Sequence, residues 1–377
     1  MKSSSGAHYP ALDHIRCLAI FLVFTWHFLH GQNGTPVPLE FVPAVPPFSL
    51  LDEGHTGVSL FMALSGYLFA KLLDGRSVRY LPFLANRALR LLPLLVAVTL
   101  LEGARRYLIG ESLSDYVIDI AKAPLLPTLP NGGWSITVEA HFYVLLPLIL
   151  MACRRSALAP LLLIAIAILV RIALYTHVDH IRSLTYFYLT GHIDQFLAGI
   201  FAFHFRAYAK NRHWDMLAVF VAFSVFFWWF DAAGGFFRVG GDPSSHWIWI
   251  ILPTIEAAAY SFGIAYYDTS FSSSKRSNII LSIIERGGAY SYSIYLLHIF
   301  FVFGMSDFIY RHVMTTTNFY FACFWSAICF LMMIPIGYLS YTCIESPFLR
   351  LRVRYIKDAS ADGHLIAPTT RPVVPAA

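Results

Sequence analysis

Long apolar stretches alternate along the chain with short breaks that are polar, basic or proline-rich. Ten stretches approach the roughly twenty residues a membrane-spanning helix needs. They cover about 14–31, 54–72, 91–108, 134–152, 157–176, 185–205, 214–231, 246–267, 288–308 and 319–343. Together they use most of the 377 residues and leave no room for a large soluble domain. The pattern predicts an all-α integral membrane protein, a bundle of about ten transmembrane helices. Residues 32–53, "QNGTPVPLEFVPAVPPFSLLDE", are proline-rich and predict a loop. Residues 109–133 predict a longer loop on the same side. Within it "SLSDYVIDIAK" places Leu113, Val117 and Ile120 at helical spacing, as in a helix lying in the interface as a lid. The division expected is a transmembrane domain over 1–347 and a tail over 348–377, basic at first and disordered from about 359. No fixed-period repeat or inverted symmetry is evident.

Charge gives this bundle an orientation. Lys71, Arg76, Arg79, Arg87, Arg90, Arg154, Arg155, Lys275, Arg276, Arg350, Arg352 and Arg354 fall in breaks on the same side as the N-terminus. The opposite breaks hold far fewer cations, among them Arg105, Arg106 and Arg182, so both termini are expected in the cytoplasm. The net charge of +5 follows from this bias and from anionic headgroups, and nucleic acid is not an expected partner. Only 13% of residues are charged and 57% are hydrophobic, against about 25% charged in soluble domains. The five cysteines lie in spans or at their cytoplasmic ends, without CxxC or Cys/His ligand spacing, so neither a disulfide nor a metal site is expected. The first span keeps Arg16, Trp26 and His27 inside its apolar stretch and reads as a retained helix rather than a cleaved leader.

That first span, "DHIRCLAIFLVFTWHFL", raises the chemical question. Eleven steps of about 100° separate Arg16 from His27, which returns both side chains to one face, roughly 16 Å apart along the axis. Ionisable groups on one stripe of a membrane helix point to function, with snorkelling or helix packing as the plainer reading. Glu139 lies five residues inside the fourth span, at a depth similar to His27 if the N-terminus is cytoplasmic. Ser135, Glu139 and Tyr143 share one helical face, as do Ser291, Tyr295 and His298. Polar contacts between helices would explain the serines and tyrosines equally well. Arg171, Asp194 and Glu256 read as structural pairs, and His30 as a boundary residue.

Six blocks in order give the chain a resemblance. They are "LDHIRCLAIFLVFTWHF", "GHTGVSLFMALSGYLF", "LANRALRLLP", "WSITVEAHFYVLLP", "IDQFLAGIFA" and "AYSYSIYLLH" followed by "IESP". Together they resemble the bacterial acyltransferase-3 family, multi-pass enzymes of the cytoplasmic (inner) membrane that O-acylate surface glycans. His14 and Cys17 depart from the small residues usual in that family. The resemblance implies an O-acyltransferase, most simply an O-acetyltransferase. Its donor would be cytoplasmic acyl-CoA, its acceptor a surface polysaccharide or lipid-linked oligosaccharide, and no cofactor would be tightly bound.

The residues suit this chemistry. A neutral imidazole can take a proton from the attacking hydroxyl, which nominates His27, with Glu139 fixing its tautomer as the third group of a triad does. Coenzyme A phosphates call for guanidinium forks, which nominates Arg16, Arg87 and Arg90. Ser65, Tyr143, Tyr295 and His298 are secondary candidates. No G-x-S-x-G elbow supports a serine nucleophile. The competing function is a secondary transporter or exporter of a glycan intermediate, with His27, Glu139, Asp194 and Glu256 as a proton relay.

Overall fold

The computed structural model describes residues 9–31, 35–74, 76–178, 180–238, 244–271, 278–314 and 318–357. Among these, twelve helices have ten or more residues. They are α1 (Pro10–His30), α2 (Gly57–Leu73), α3 (Tyr80–Leu108), α4 (Leu113–Lys122), α5 (Trp134–Arg155), α6 (Ala159–Tyr175), α7 (Leu189–His204), α8 (His213–Ala232), α9 (Ile248–Phe271), α10 (Ile279–Ala289), α11 (Ser291–Phe308) and α12 (Phe319–Ser340). Two short strands, β1 (Ser77–Val78) and β2 (Ile356–Lys357), pair antiparallel with Ser77 opposite Lys357.

Eight helical segments are long and apolar enough to cross a membrane, and they contain α1, α2, α3, α5, α8, α9, α11 and α12. The other two expected spans form α6 and α7, of 17 and 16 residues. At about 1.5 Å per residue these are roughly 24–26 Å long, short of a hydrocarbon core of about 30 Å. Most of α7 is buried among other helices. It packs on α2, α6 and α9. A Cβ on Gly66 would come within 2.0 Å of the Phe196 carbonyl oxygen, and one on Gly199 within 2.0 Å of the Ala63 carbonyl oxygen. The α2–α7 contact is therefore set by two glycines whose missing side chains let the backbones touch.

Arg171 of α6 and Asp194 of α7 are fully buried and joined at 2.7 Å. The guanidinium also donates to the carbonyls of Ile250 (2.8 Å) and Thr190 (3.0 Å) and to the Thr254 hydroxyl (3.1 Å). Glu256 of α9 accepts from Thr56 and Ser59, each at 2.7 Å. These intramembrane charges are held by packed partners. Around this centre, α1 and α2 are mostly enclosed, whereas α3 and α8 present Leu92, Val96, Leu100, Val221 and Val225 outward as lipid-facing helices do.

Several boundaries differ from the sequence expectation. The third span begins at Tyr80, so Arg87 and Arg90 sit one turn apart on a helix rather than in a connecting segment. Helical propensity through "FLANRALRLL" outweighs its charge, because leucine, alanine and arginine all favour helix. The segment "LSDYVIDIAK" is α4, tied to α3 by the Tyr116 hydroxyl on the Thr99 carbonyl (2.7 Å), with Leu113 and Val117 exposed. Residues 350–357, expected to open the tail, instead run back along α3 to form β2. The rest of the expected tail lies outside the described residues.

Candidate active site

Five helices, α1, α2, α3, α5 and α11, enclose a narrow cavity of about 110 Å³. Seven residues nominated from the sequence line it: Arg16, Ser65, Arg87, Arg90, Glu139, Tyr143 and Tyr295. One end is basic. The Arg87 guanidinium lies over the rings of Phe69, Phe83 and Tyr143, at 4.7, 5.3 and 5.8 Å from their centroids, which fixes its plane. Arg16 is ion-paired to the buried carboxylate of Asp13, one turn earlier on α1. Arg16, Arg87 and Arg90 are close enough for their charges to act on one another. Like charges gathered in a low-dielectric setting repel, and an anion placed between them relieves the strain. The arrangement suits a phosphate-bearing ligand.

Tyr295 marks the other end, where its hydroxyl and that of Ser135 both donate to the Gly132 carbonyl at 3.0 Å. Gly132 has φ +76°, and a Cβ there would strike the Tyr295 hydroxyl at 3.0 Å. This turn before α5 therefore needs a glycine, and it joins α5 to α11. One turn beyond Tyr295 stands His298, with His27 of α1 facing it; neither lines the cavity.

The two histidines have definite tautomers. His27 Nδ1 is 2.8 Å from the Val23 carbonyl oxygen, and His298 Nδ1 is 2.5 Å from the Tyr295 carbonyl oxygen. Carbonyls only accept, so each Nδ1 carries a proton. In the neutral rings both Nε2 atoms are lone-pair acceptors. His298 Nε2 lies 3.4 Å from His27 Nδ1, on the side from which it can share that proton. The rings meet edge to face with centroids 4.9 Å apart. His27 Nε2 is left as the basic atom, and Trp26 (4.7 Å) and Phe303 (6.0 Å) pack against the ring.

Glu139 does not take up the place expected for it. Its carboxylate accepts from the Tyr143 hydroxyl within α5 and lies near Arg87. Equal depth on two helices does not make two side chains face each other, and α5 directs Glu139 to the arginine end. The Val23 carbonyl and His298 hold His27 instead. Two residues were not read from the sequence as site residues: Arg352, counted only toward the charge bias, and Tyr355, because they lie beyond the last span in a segment with no helical pattern.

A second cavity, about 680 Å³, lies among α1, α8, α9, α10 and α12, with a wall almost wholly of apolar residues such as Leu18, Phe21 and Phe220. It lacks the convergent charges of the first. Among the described residues, no group of three or more His, Cys, Asp or Glu side chains is placed to hold a metal ion.

Multi-helix architecture, clustered guanidiniums and an oriented imidazole are features that a membrane protein of the acyl-transfer class would need. The chain belongs to the acyltransferase-3 family, whose acyltransferase domain matches residues 9–336. It is also similar to the peptidoglycan O-acetyltransferase OatA of Listeria monocytogenes, with 23% identity over 44% of this chain. The match spans 28% of that relative's length. No solved structure matches the chain.

Proposed function

We propose that the protein is a membrane O-acetyltransferase with His27 as its general base, moving an acetyl group from coenzyme A to a glycan hydroxyl. The observation that carries this reading is the cavity that begins among Arg16, Arg87 and Arg90 and ends at Tyr295, one turn before His298, which faces His27. Its volume is too small for a nucleotide and matches no more than the acyl thioester tip of the donor, so the phosphates would stay at the arginine end. The lysine and arginine bias makes that end cytoplasmic and the histidine end the outward one, in a bacterial cytoplasmic membrane.

In the transfer, the acceptor oxygen attacks the thioester carbonyl carbon while His27 Nε2 takes its proton. The tetrahedral intermediate then expels the coenzyme A thiolate, and the imidazolium returns the proton to sulfur. His298, accepting from His27 Nδ1, stabilises the transient imidazolium and keeps Nε2 aimed at the acceptor. Glu139 and Tyr143 set the position of Arg87, and Ser65 and Tyr295 line the path of the arm. A transporter reading would need Asp194 and Glu256 as relay members, and both are committed to packed partners.

Purified protein, supplied with acetyl-CoA labelled in the acetyl group and a mixture of bacterial surface glycans, is expected to release free coenzyme A and label the glycan. Movement of unmodified glycan into vesicles without release of the thiol would favour transport.

A further inference from the structure

The segment after α12 is fastened across the arginine end of the cavity. The Asn86 side chain of α3 clasps Val353 from both sides, donating to its carbonyl (2.6 Å) and accepting from its N–H (3.0 Å). The Arg79 backbone N–H donates to the Tyr355 carbonyl at 2.9 Å, the Arg79 guanidinium to the Arg354 carbonyl, and β2 pairs with β1 just beyond. Tyr355 is only 2% exposed, and its ring lies edge to face with Phe83 at 5.5 Å. Its hydroxyl lies near enough to the Arg87 side chain to act on the guanidinium. Five residues of extended chain thus carry more contacts than a solvated tail would hold.

Just before these anchors, Arg352 lies beside the same cluster. It is partly buried, near enough to Arg90 and Arg87 for their charges to act on it. Its Nε is buried and makes no hydrogen bond. Burial first, then the charges of Arg90 and Arg87, pull its pKa down to about 10. A buried donor without a partner, beside two more cations, is costly unless something anionic completes it.

We propose that residues 350–357 belong to the donor site, with Arg352 as a further arginine for a coenzyme A phosphate and Tyr355 as the residue that positions Arg87. The inference rests on the reading of the arginine end as the donor site. It extends that site from the helices to the segment behind them.

The test measures binding of coenzyme A and of pantetheine, which lacks the phosphates, to the purified full-length protein. Wild type is compared with Arg352→Ala, Arg352→Lys and Tyr355→Phe. Arg352→Ala is expected to weaken coenzyme A about tenfold, the loss typical of one charge-assisted hydrogen bond. Pantetheine binding should not change. Arg352→Lys keeps the charge without the fork and should fall between. Tyr355→Phe should raise the KM for acetyl-CoA several-fold at constant kcat. Undiminished coenzyme A affinity in Arg352→Ala, or an equal loss for pantetheine, would overturn the assignment of Arg352 while leaving the donor site in place. A wild-type protein that does not bind coenzyme A would overturn the donor site itself and this inference with it.

Discussion

At the scale of single residues, the roles divide by which end of the cavity a side chain serves. His298 touches His27 and none of the arginines, whereas Glu139 is bonded to Tyr143 beside Arg87. The two should therefore fail differently. His298→Ala is expected to lower kcat by about tenfold with coenzyme A affinity unchanged. It removes the second acceptor, which shares the His27 Nδ1 proton with the Val23 carbonyl and helps to steady the imidazolium. Glu139→Gln is expected to change the KM for acetyl-CoA and leave kcat within about threefold. Steady-state kinetics on both variants decide this, and the reverse assignment would restore Glu139 as the partner of His27. Arg87 and Arg90 were nominated by phosphate chemistry and the family resemblance, whereas Arg16 and His27 could be singled out in the sequence because spacing on one helix is readable. The facing of His27 by His298 could not, because it depends on the rotation of α11 against α1.

Among the helices, the short pair α6 and α7 shows what apolar patterning alone leaves open. Both read as spans, yet α7 is a buried centrepiece, packed close to α2 through Gly66 and Gly199. Its charge is balanced by Arg171 of α6, with both side chains excluded from solvent. Removing one partner of such a pair leaves a buried charge uncompensated, at a cost of roughly 3–5 kcal/mol. Arg171→Ala is expected to lower the thermal midpoint of the purified protein sharply and to reduce its yield. Arg171→Ala/Asp194→Ala should recover part of the loss. A single variant as stable as wild type would mean that the pair is not structural. The start of α3 was only partly readable, since charge within it resembled a loop, whereas α5 begins at Trp134 as expected. The packed course of residues 350–357 had no sequence signal, because hydrogen bonds to Asn86 and Arg79 create it.

Over the whole molecule, the family match gives the class of reaction, and the cavity runs from a basic end to Tyr295, one turn from the His27–His298 pair. The membrane character and the helical class were evident in the sequence, since hydropathy is a local property. How the helices bring the three arginines and Tyr295 to one cavity was not, because it is a property of rotations and depths. The account stands or falls on His27 as the group that takes the acceptor proton. The direct measurement is transfer of labelled acetyl from acetyl-CoA by His27→Ala alongside its coenzyme A binding. Turnover is predicted to fall by about 10²–10⁴-fold, the usual contribution of a positioned base, with binding at the arginine end retained. A His27→Ala protein that transfers acetyl at near the wild-type rate would contradict it.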